Sequence, residues 1–338
     1  MQVTTIGLDL AKSVFQLHGV DAAGAVVLTR KVRRKQLLSV FAGLEPCLVG
    51  MEACGTAHHW AREIAALGHD VRLIAPQHVK PYVRRNKTDA ADAAAICEAV
   101  SRPHMRFVAI KTTERQAVMS MHKARALLVN QRVRLTNALR AHMAEYGLIA
   151  PKGGKGFGDL MARLRLGELE VPAMLLRALQ ALARPIADLQ SAVEAIDAEI
   201  LAWHRQDEVS RRLAQIPGFG PIVASAMTAG LTDPGAFRSA RDFAAALGLT
   251  PRVKASAEKT RLGAITRRGD IYLRRLLVGG AHAVLITERA KADPWIAKLL
   301  ARKPYRGQVA VALANKMART AWAMIARDQP YRQGSLVA

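Results

Sequence analysis

The sequence is poor in cysteine and aromatic residues and has no long uninterrupted apolar run. Its three cysteines, Cys47, Cys54 and Cys97, form no CxxC pair. We therefore expect neither a disulfide scaffold nor a structural zinc site, and a reduced, cytoplasmic protein is favoured. No stretch of about 18 uncharged apolar residues occurs, so we expect no membrane-spanning helix and no membrane partner. The polar start of the chain, with Thr4 and Thr5, indicates no signal peptide.

Acidic side chains are scarce relative to basic ones. The 338 residues include 50 Lys and Arg against 27 Asp and Glu, which gives a formal charge of +23. Because 51% of the residues are hydrophobic, the chain can bury sizeable cores and wholesale disorder is excluded. The length is typical of two or three domains. The positive excess predicts a polyanionic partner, most simply nucleic acid.

The positive charge is concentrated near the end of the chain, where residues 207–338 hold 22 basic and nine acidic side chains. In the densest stretch, 238–275, the basic residues occur with Gly, Ser and Thr rather than with apolar residues at heptad spacing. Most charge runs are only solvated surfaces, but this composition favours phosphate contacts that weaken steeply with salt. The basic residues of the stretch are Arg238, Arg241, Arg252, Lys254, Lys259, Arg261, Arg267, Arg268, Arg274 and Arg275.

Residues 1–110 alternate between apolar runs of strand length and helical patterns, which predicts an α/β domain. Residues 3–20 are expected to form β-structure that ends in a turn at 21–24. Further strands are expected at 25–32, 47–53, 71–76 and 107–110. A helix is expected after residue 56 and ends at Gly68. A second helix is expected over 88–100, with Thr88 as its N-cap.

From about residue 111 the period becomes helical throughout, so the fold class is α/β followed by all-α. Residues 111–206 form a long helix, a Gly/Lys-rich loop at 151–159 and a second helix with heptad spacing that Pro185 interrupts. This coiled-coil region favours a dimer, although the seam could also pack within one chain. Residues 207–330 are expected to form a compact helical domain.

Four carboxylates in the first domain are candidates for a metal site. Asp9 and Glu52 lie at predicted strand ends, and Asp89 and Asp92 share one face of the predicted helix. Two hard divalent cations about 3.5–4 Å apart need clustered oxygen ligands and can serve phosphoryl transfer. The alternative is that the helical pair only stabilises a helix N-terminus and that Asp9 only ends a strand.

The order GLDLAK (7–12), GMEACGT (50–56) and NKTDAADAAAI (86–96) resembles the RuvC-like DEDD insertion-sequence transposase family. That family includes Piv-type DNA invertases and bridge-RNA-guided serine recombinases. The resemblance implies an RNase H-like (RuvC-like) N-terminal domain. It also implies Mg²⁺ coordination by a catalytic tetrad that falls on Asp9, Glu52, Asp89 and Asp92.

The segment IPGFGPIVASAM (216–227) resembles a helix-hairpin-helix, a module that contacts the nucleic-acid backbone without reading sequence. Gly218 and Gly220 allow a tight turn whose amides can face a phosphate at a helix N-terminus. The alternative is an ordinary turn between two packed helices.

Ser256 lies in a polar, basic segment between Pro251 and Gly263, which we interpret as a loop. An exposed serine in a loop usually has no catalytic role. The resemblance, however, extends through PGxGxxxA, GLxPR and RGDxYLRRLL in order, and the family's nucleophilic serine falls on Ser256. The loop departs from the family pattern, since Ala257 and Glu258 stand where glycines are common.

These observations lead to the hypothesis of an RNA-guided DNA transposase or site-specific recombinase with a phosphoserine–DNA intermediate. Its expected partners are the element ends, target DNA and an element-encoded guide RNA, in a homodimer or homotetramer. One alternative is a metal-dependent RuvC-like junction nuclease in which Ser256 is incidental. Another is an inactive nucleic-acid-binding relative, and a Tyr272 nucleophile is a weaker option.

Overall fold

The structure, a computed structural model, describes residues 2–83, 88–149, 154–256, 259–288, 293–303 and 305–332. The chain divides into two compact units. The N-terminal unit comprises the residues up to 113 together with 232–238. The C-terminal unit comprises 114–231 and the residues from 239 onward.

A six-stranded mixed sheet forms the centre of the N-terminal unit. Its strand order is β3-β2-β1-β4-β5-β6. β1, β2 and β3 form an antiparallel meander, β4 and β5 run parallel to β1, and β6 is antiparallel to β5. The α/β prediction for this region is confirmed. The strands are Thr5–Asp9, Val14–Val20, Val26–Arg33, Leu48–Glu52, Asp70–Ile74 and Phe107–Val108.

Helices cover this sheet and bury its apolar residues. The described helices of the unit are α1 (Leu37–Ala42), α2 (Ala57–Ala66), α3 (Pro76–Val79) and α4 (Asp89–Val100). The N-cap prediction is confirmed, because the Thr88 hydroxyl accepts a hydrogen bond from the Ala91 amide at 3.2 Å. The core joins alternate residues of the strands, such as Ile6 and Leu8, to Trp60 and Ile64 of α2.

The C-terminal unit is mainly helical, with one β-hairpin. The two longest helices are joined by an ion pair between Arg125 and Asp197 and by an apolar cluster that includes Leu139, Leu179 and Ile186. The predicted heptad seam therefore packs within this chain, at least over these residues. The helices are α5 (Thr113–Ala144), α6 (Gly154–Leu166), α7 (Ala173–Gln206), α8 (Glu208–Leu213), α9 (Pro221–Gly230), α10 (Ala240–Ala246), α11 (Ile271–Leu285), α12 (Pro294–Arg302) and α13 (Arg306–Ala326).

Three details of the second half differ from the sequence-based expectation. The expected loop at 151–159 is helical from Gly154 onward, and residues 151–153 lie outside the described part of the chain. Pro185 lies inside α7, which continues through it. The segment around Ser256, expected as a loop in a helical domain, forms the antiparallel strands β7 (Pro251–Ser256) and β8 (Lys259–Ile265). None of the described helices is both long and apolar enough to span a membrane.

Candidate active site and nucleic-acid interface

Asp9 and Glu52 are the last residues of two adjacent strands. β1 and β4 run parallel, and their register aligns Leu8 with Met51, the residues that directly precede the two carboxylates. The carboxyl ends of parallel strands meet at one edge of a sheet, where α/β proteins commonly bind ligands. Both side chains are half-buried. The structure therefore brings these two candidate ligands to the same edge of the sheet.

The helix α4 lies against Gly7 of β1 and Gly50 of β4. A Cβ at Gly7 would overlap the carbonyl oxygen of Ala93, and the Cys97 thiol lies 3.7 Å from the Thr5 carbonyl oxygen. Later residues of the helix thus lie over earlier residues of β1, so the two elements run antiparallel. The first turn of α4 is consequently directed toward the end of β1 that carries Asp9.

Asp89 and Asp92 both lie in that first turn, one exposed and the other half-buried. Aspartates at a helix N-terminus also interact favourably with the helix dipole, so their position fits both interpretations weighed from the sequence. All four side chains offer oxygen donors, which suit a hard divalent cation. Within the described part of the chain, however, no three His, Cys, Asp or Glu side chains lie close enough together to hold a metal ion.

Neighbouring cysteines and histidines have other contacts. Burial raises the pKa of the Cys97 thiol, and likewise that of Cys47, to about 11, so both are neutral at physiological pH. His58 Nδ1 accepts a hydrogen bond from the Lys111 amide at 3.3 Å. His59 Nδ1 lies 3.8 Å from a carboxylate oxygen of Glu63. Cys47 and Cys97 are buried, whereas His59 is exposed.

In the C-terminal unit, α8 and α9 are joined by a tight turn that contains Gly218 and Gly220. The Phe219 amide donates to the Ile216 carbonyl oxygen at 2.9 Å, and Gly218 has a φ of +87°. Gly220 is the N-cap residue of α9, and Pro221 begins the helix. The two helices and the turn are as expected, and this geometry fits both a phosphate-binding turn and an ordinary turn between packed helices.

The β7–β8 hairpin carries the predicted nucleophile and several of the predicted phosphate contacts. Arg252 on β7 and Arg261 on β8 have exposed side chains. Ser256 is the last residue of β7, and its Cα is paired with that of Lys259. The side chains of Lys254, Ser256 and Lys259 lie outside the described part of the structure, as do Ala257 and Glu258.

A turn after β8 presents two further basic residues. Arg267 and Arg268 are exposed, and Arg267 has a φ of +57°. The turn is packed tightly, because a Cβ at Gly269 would overlap the carbonyl oxygen of Ala246. Arg275, on the first turns of α11, is also exposed. Arg267, Arg268 and Arg275 therefore add exposed positive charge to this unit.

Arg274 differs from the other predicted phosphate contacts. Its side chain is buried, and its NH1 group donates to the carbonyl oxygens of Leu247 at 2.8 Å and Arg268 at 2.7 Å. The guanidinium therefore holds the turn that presents Arg267 and Arg268. Sequence reasoning did not find this role, because a buried arginine and an exposed one look alike in a basic run.

A buried polar network in the C-terminal unit was also missed. His122 of α5 is fully buried, with Nδ1 3.0 Å from the Tyr272 hydroxyl and Nε2 3.0 Å from the Ser225 hydroxyl. Ser225 donates its proton to the Pro221 carbonyl oxygen at 2.6 Å. Nε2 must then carry the imidazole proton, and Nδ1 accepts from Tyr272. Only the fold reveals this contact, since His122 and Tyr272 are 150 residues apart.

Electrostatics keep this network neutral. Burial, reinforced by the positive charge of Arg125 and opposed by Asp197, lowers the pKa of His122 to about 4. Burial also raises the pKa of Tyr272 above its usual value. A hydroxyl that is hydrogen-bonded inside the protein and hard to ionise is poorly suited to attack phosphorus.

The α/β unit and the basic helical unit have the layout expected of a transposase. Residues 6–148 match the DEDD transposase family of IS110 elements, and residues 210–296 match the Transposase IS116/IS110/IS902 family. A probable family 20 transposase of Pseudomonas aeruginosa is 48% identical, over 99% of this chain and 100% of that protein. The transposase for insertion sequence element IS1328 of Yersinia enterocolitica is 41% identical, over 95% of this chain and 96% of that protein.

A third relative, the transposase for insertion sequence element IS1111A of Coxiella burnetii, is 39% identical over 98% of this chain and 92% of that protein. The chain therefore belongs to the IS116/IS110/IS902 transposase family. The family resemblance inferred from the three carboxylate motifs is confirmed.

Proposed function

We propose that this protein is a DNA recombinase that moves an insertion sequence through a covalent phosphoserine–DNA intermediate. The observation that carries the proposal is the shared edge of the sheet at which Asp9 and Glu52 end adjacent parallel strands and toward which the first turn of α4 is directed. The strand order and the meander of β1 to β3 support an RNase H-like fold for this unit.

Asp9, Glu52, Asp89 and Asp92 would hold divalent cations, for which Mg²⁺ is the natural candidate. Their donor chemistry fits, because carboxylate oxygens are the ligands that hard divalent cations prefer. A bound divalent cation stabilises negative charge on phosphate oxygens. The protein's own part is to fix Asp9 and Glu52 on the sheet and to bring Asp89 and Asp92 from the helix.

Ser256 would attack the scissile phosphate: its oxygen would form the new P–O bond, the bond to the 3′ or 5′ oxygen of the DNA would break, and the serine proton would end on that leaving oxygen as a DNA hydroxyl. The support is its position at the end of β7 in a hairpin whose exposed Arg252 and Arg261 can stabilise charge on the phosphate. Arg267, Arg268 and Arg275 would bind neighbouring phosphates. Lys254 and Lys259 are proposed for the same role on sequence grounds.

The turn at Gly218 and Gly220 would bind nucleic-acid backbone as a helix-hairpin-helix. The exposed start of α9, at Gly220 and Pro221, supports this role, because the positive end of a helix dipole attracts phosphate. Guidance by an element-encoded RNA and assembly into a homodimer or homotetramer are further parts of the proposal. They rest on the family resemblance and on the positive charge, which suits DNA and RNA equally.

The experiment that tests the proposal is recovery of covalent protein–DNA adducts from cells that carry the element with its flanking DNA. The protein is purified under denaturing conditions, and wild type is compared with Ser256→Ala. An adduct that requires Ser256 supports the serine recombinase, and RNA in a native purification supports guidance. Absence of an adduct in wild type, with Mg²⁺-dependent DNA cutting by both proteins, would establish the junction nuclease instead. Binding without cutting under any divalent cation would indicate an inactive relative.

A further inference from the structure

The C-terminal unit contains a pocket of about 410 Å³ beside the Gly218 turn. Ile216, Pro217 and Gly218 form one wall, and the end of α11 forms another with Ala283 and Val284. This volume is within the range of about 300–1,000 Å³ that small-molecule sites occupy. The remaining walls come from the start of α12, from α13 and from Tyr331.

The pocket combines apolar walls with two aromatic residues, Trp295 and Tyr331, and two opposite charges. Trp295 at the start of α12 is half-buried, and Lys316 of α13 lies with Nζ 4.0 Å from the centre of its ring. This cation–π contact holds the indole in place. Asp293 also lines the pocket, and its Oδ1 accepts from the amides of Trp295 and Ile296 at 2.9 and 3.0 Å.

A flat heterocycle with hydrogen-bond donors and acceptors on its edge matches this lining. Ile216, Leu313 and Met317 supply apolar contacts to its faces, and Trp295 supplies an aromatic surface. Lys316 can donate to a ring nitrogen or carbonyl oxygen, while Asp293 can accept from an exocyclic amine. Proteins read an extruded nucleobase in this way, with stacking on its faces and hydrogen bonds to its edge.

The surroundings of the pocket are suited to a nucleic-acid strand. Gly218 belongs both to the pocket wall and to the turn for which we propose backbone contact. Lys298 and Arg302 follow Trp295 by three and seven residues, so they share its face of α12, and both are exposed. A strand held by its phosphates at these cations could therefore direct one base toward Trp295.

We propose that this pocket binds a single nucleobase extruded from a bound strand, with Trp295, Lys316 and Asp293 as its recognition residues. The inference rests on the proposed function, because it requires nucleic-acid binding by this unit. A nucleobase is common to DNA and RNA, and the experiment distinguishes the two sources.

The test uses the full-length protein and pairs of fluorescein-labelled 20-mers of single-stranded DNA. One member of each pair is an intact mixed sequence, and the other has abasic spacers throughout, so the number of phosphates is equal. Ala283→Trp fills the pocket from an exposed position of α11, and Trp295→Ala removes the aromatic wall. His282→Trp is the matched control, because His282 is the exposed neighbour of Ala283 but does not line the pocket.

We expect wild type and His282→Trp to bind the intact strand more tightly than the abasic strand. In both pocket variants the ratio of the two affinities should fall at least about five-fold. Affinity for the abasic strand should not change in any of the four proteins. The same series is repeated with RNA 20-mers. The nucleic acid, DNA or RNA, for which the pocket variants lose more of the preference for intact strands is the one that supplies the base. Folding of each variant is checked by thermal unfolding. Ala283→Trp and Trp295→Ala must both reduce the preference for the intact strand.

The possible failures are distinguishable. If wild type binds neither strand at low salt, the proposed function loses its nucleic-acid interface and the inference is overturned with it. If wild type binds both strands but the pocket variants keep the full preference for intact strands, the base pocket is wrong and the proposed function is untouched. A pocket that instead holds a protein segment gives this second result.

Discussion

Gly218 and Gly280 pack backbone against backbone: a Cβ at Gly218 would lie 2.7 Å from the carbonyl oxygen of Gly280, and a Cβ at Gly280 would overlap the carbonyl oxygen of Gly218. The turn between α8 and α9 is thereby fixed against α11. Gly218 has a second reason to be glycine, its φ of +87°. Gly220, two residues later, has a φ of −70°, and a Cβ added there would have nothing within 4 Å.

Because of this contrast between Gly218 and Gly220, the contribution of the turn to folding can be measured separately from its contribution to phosphate binding. Gly218→Ala should lower the free energy of unfolding by about 2–5 kcal/mol, through the left-handed φ and the overlap with α11. Gly220→Ala replaces the N-cap residue of α9 and should cost about 1 kcal/mol or less, so a loss of nucleic-acid affinity in this folded variant would report on backbone contact. Urea unfolding and fluorescence anisotropy of a labelled duplex measure the two effects. Equal stability of the two variants would contradict the packing argument.

A second pair of glycines tests whether α4 positions the carboxylates. Gly7→Ala would put a Cβ into the Ala93 carbonyl oxygen, so α4 must move away from β1. We expect a loss of about 1–3 kcal/mol of stability and a loss of DNA cleavage larger than unfolding explains. Gly55→Ala is the control, since nothing lies within 4 Å of its added Cβ. Cleavage by Gly7→Ala at the wild-type rate, with the fold intact, would show that the helix position is not critical.

The neighbouring arginines Arg274 and Arg275 should respond differently to substitution. Arg275→Ala removes an exposed charge, so we expect unchanged stability and a salt dependence of duplex binding that is less steep by about 0.9 in log–log slope. Arg274→Ala leaves the Leu247 and Arg268 carbonyl oxygens without their donor and should cost about 1–3 kcal/mol of stability. The two variants are compared by thermal unfolding and by affinity between about 50 and 200 mM salt. An unchanged melting temperature for Arg274→Ala would argue that its guanidinium does not stabilise the turn and instead contacts phosphate.

The carboxylate site predicts a stability that depends on divalent cations. In the presence of a DNA duplex, addition of Mg²⁺ or Mn²⁺ should raise the unfolding temperature of wild type above its value with the duplex alone, because a ligand that binds only the folded state stabilises it. Asp9→Asn should abolish that increase and DNA cleavage, while the apoprotein keeps its fold. Glu45→Gln, at an exposed position of the same unit, is the charge-matched control. An unchanged cation response in Asp9→Asn would remove Asp9 from the proposed site.

Local signals in the sequence predicted the N-terminal unit well. The Thr88 cap and the alanine-rich run predicted α4 to within a residue of its observed bounds, because both act through neighbours in the chain. The glycines of β1 and β4 were not recognised as helix contacts. Nothing near Gly7 in the sequence indicates that Ala93 will lie on it. The sequence therefore indicated four candidate carboxylates but not the packing that orients the helix of Asp89 and Asp92.

The β7–β8 hairpin was missed for a different reason. A strand is usually recognised by one buried face, but Val253 and Leu262 are paired across this hairpin and both are exposed. At the hairpin positions whose side chains the structure describes, these apolar residues are not buried, and the remaining sequence shows mainly charge and polarity, which are typical of a loop. Pro185 led to the opposite error, because a proline normally interrupts a helix. Ala183 and Ile186 are buried on either side of it, and this packing supports a continuous α7.

The His122 network makes stability depend on pH. His122 has a pKa of about 4 in the folded protein, whereas an unfolded histidine has a pKa of about 6.5. Between these values the unfolded chain binds more protons than the folded one, so stability decreases as the pH falls from about 6.5 to about 4. The network is fully stabilising above that window. The difference in pKa corresponds to about 3 kcal/mol at most.

Substitution of His122 isolates this contribution from that of other histidines. His122→Gln should be less stable than wild type at about pH 7.5 by about 1–3 kcal/mol, because Tyr272 and Ser225 lose well-oriented partners. The deficit should shrink as the pH is lowered to about 4, since only wild type must keep a buried imidazole neutral. Urea unfolding at intervals of half a pH unit gives the curve, with the exposed His282→Gln as control. A deficit that stays constant across this range would show that His122 is not the titrating group.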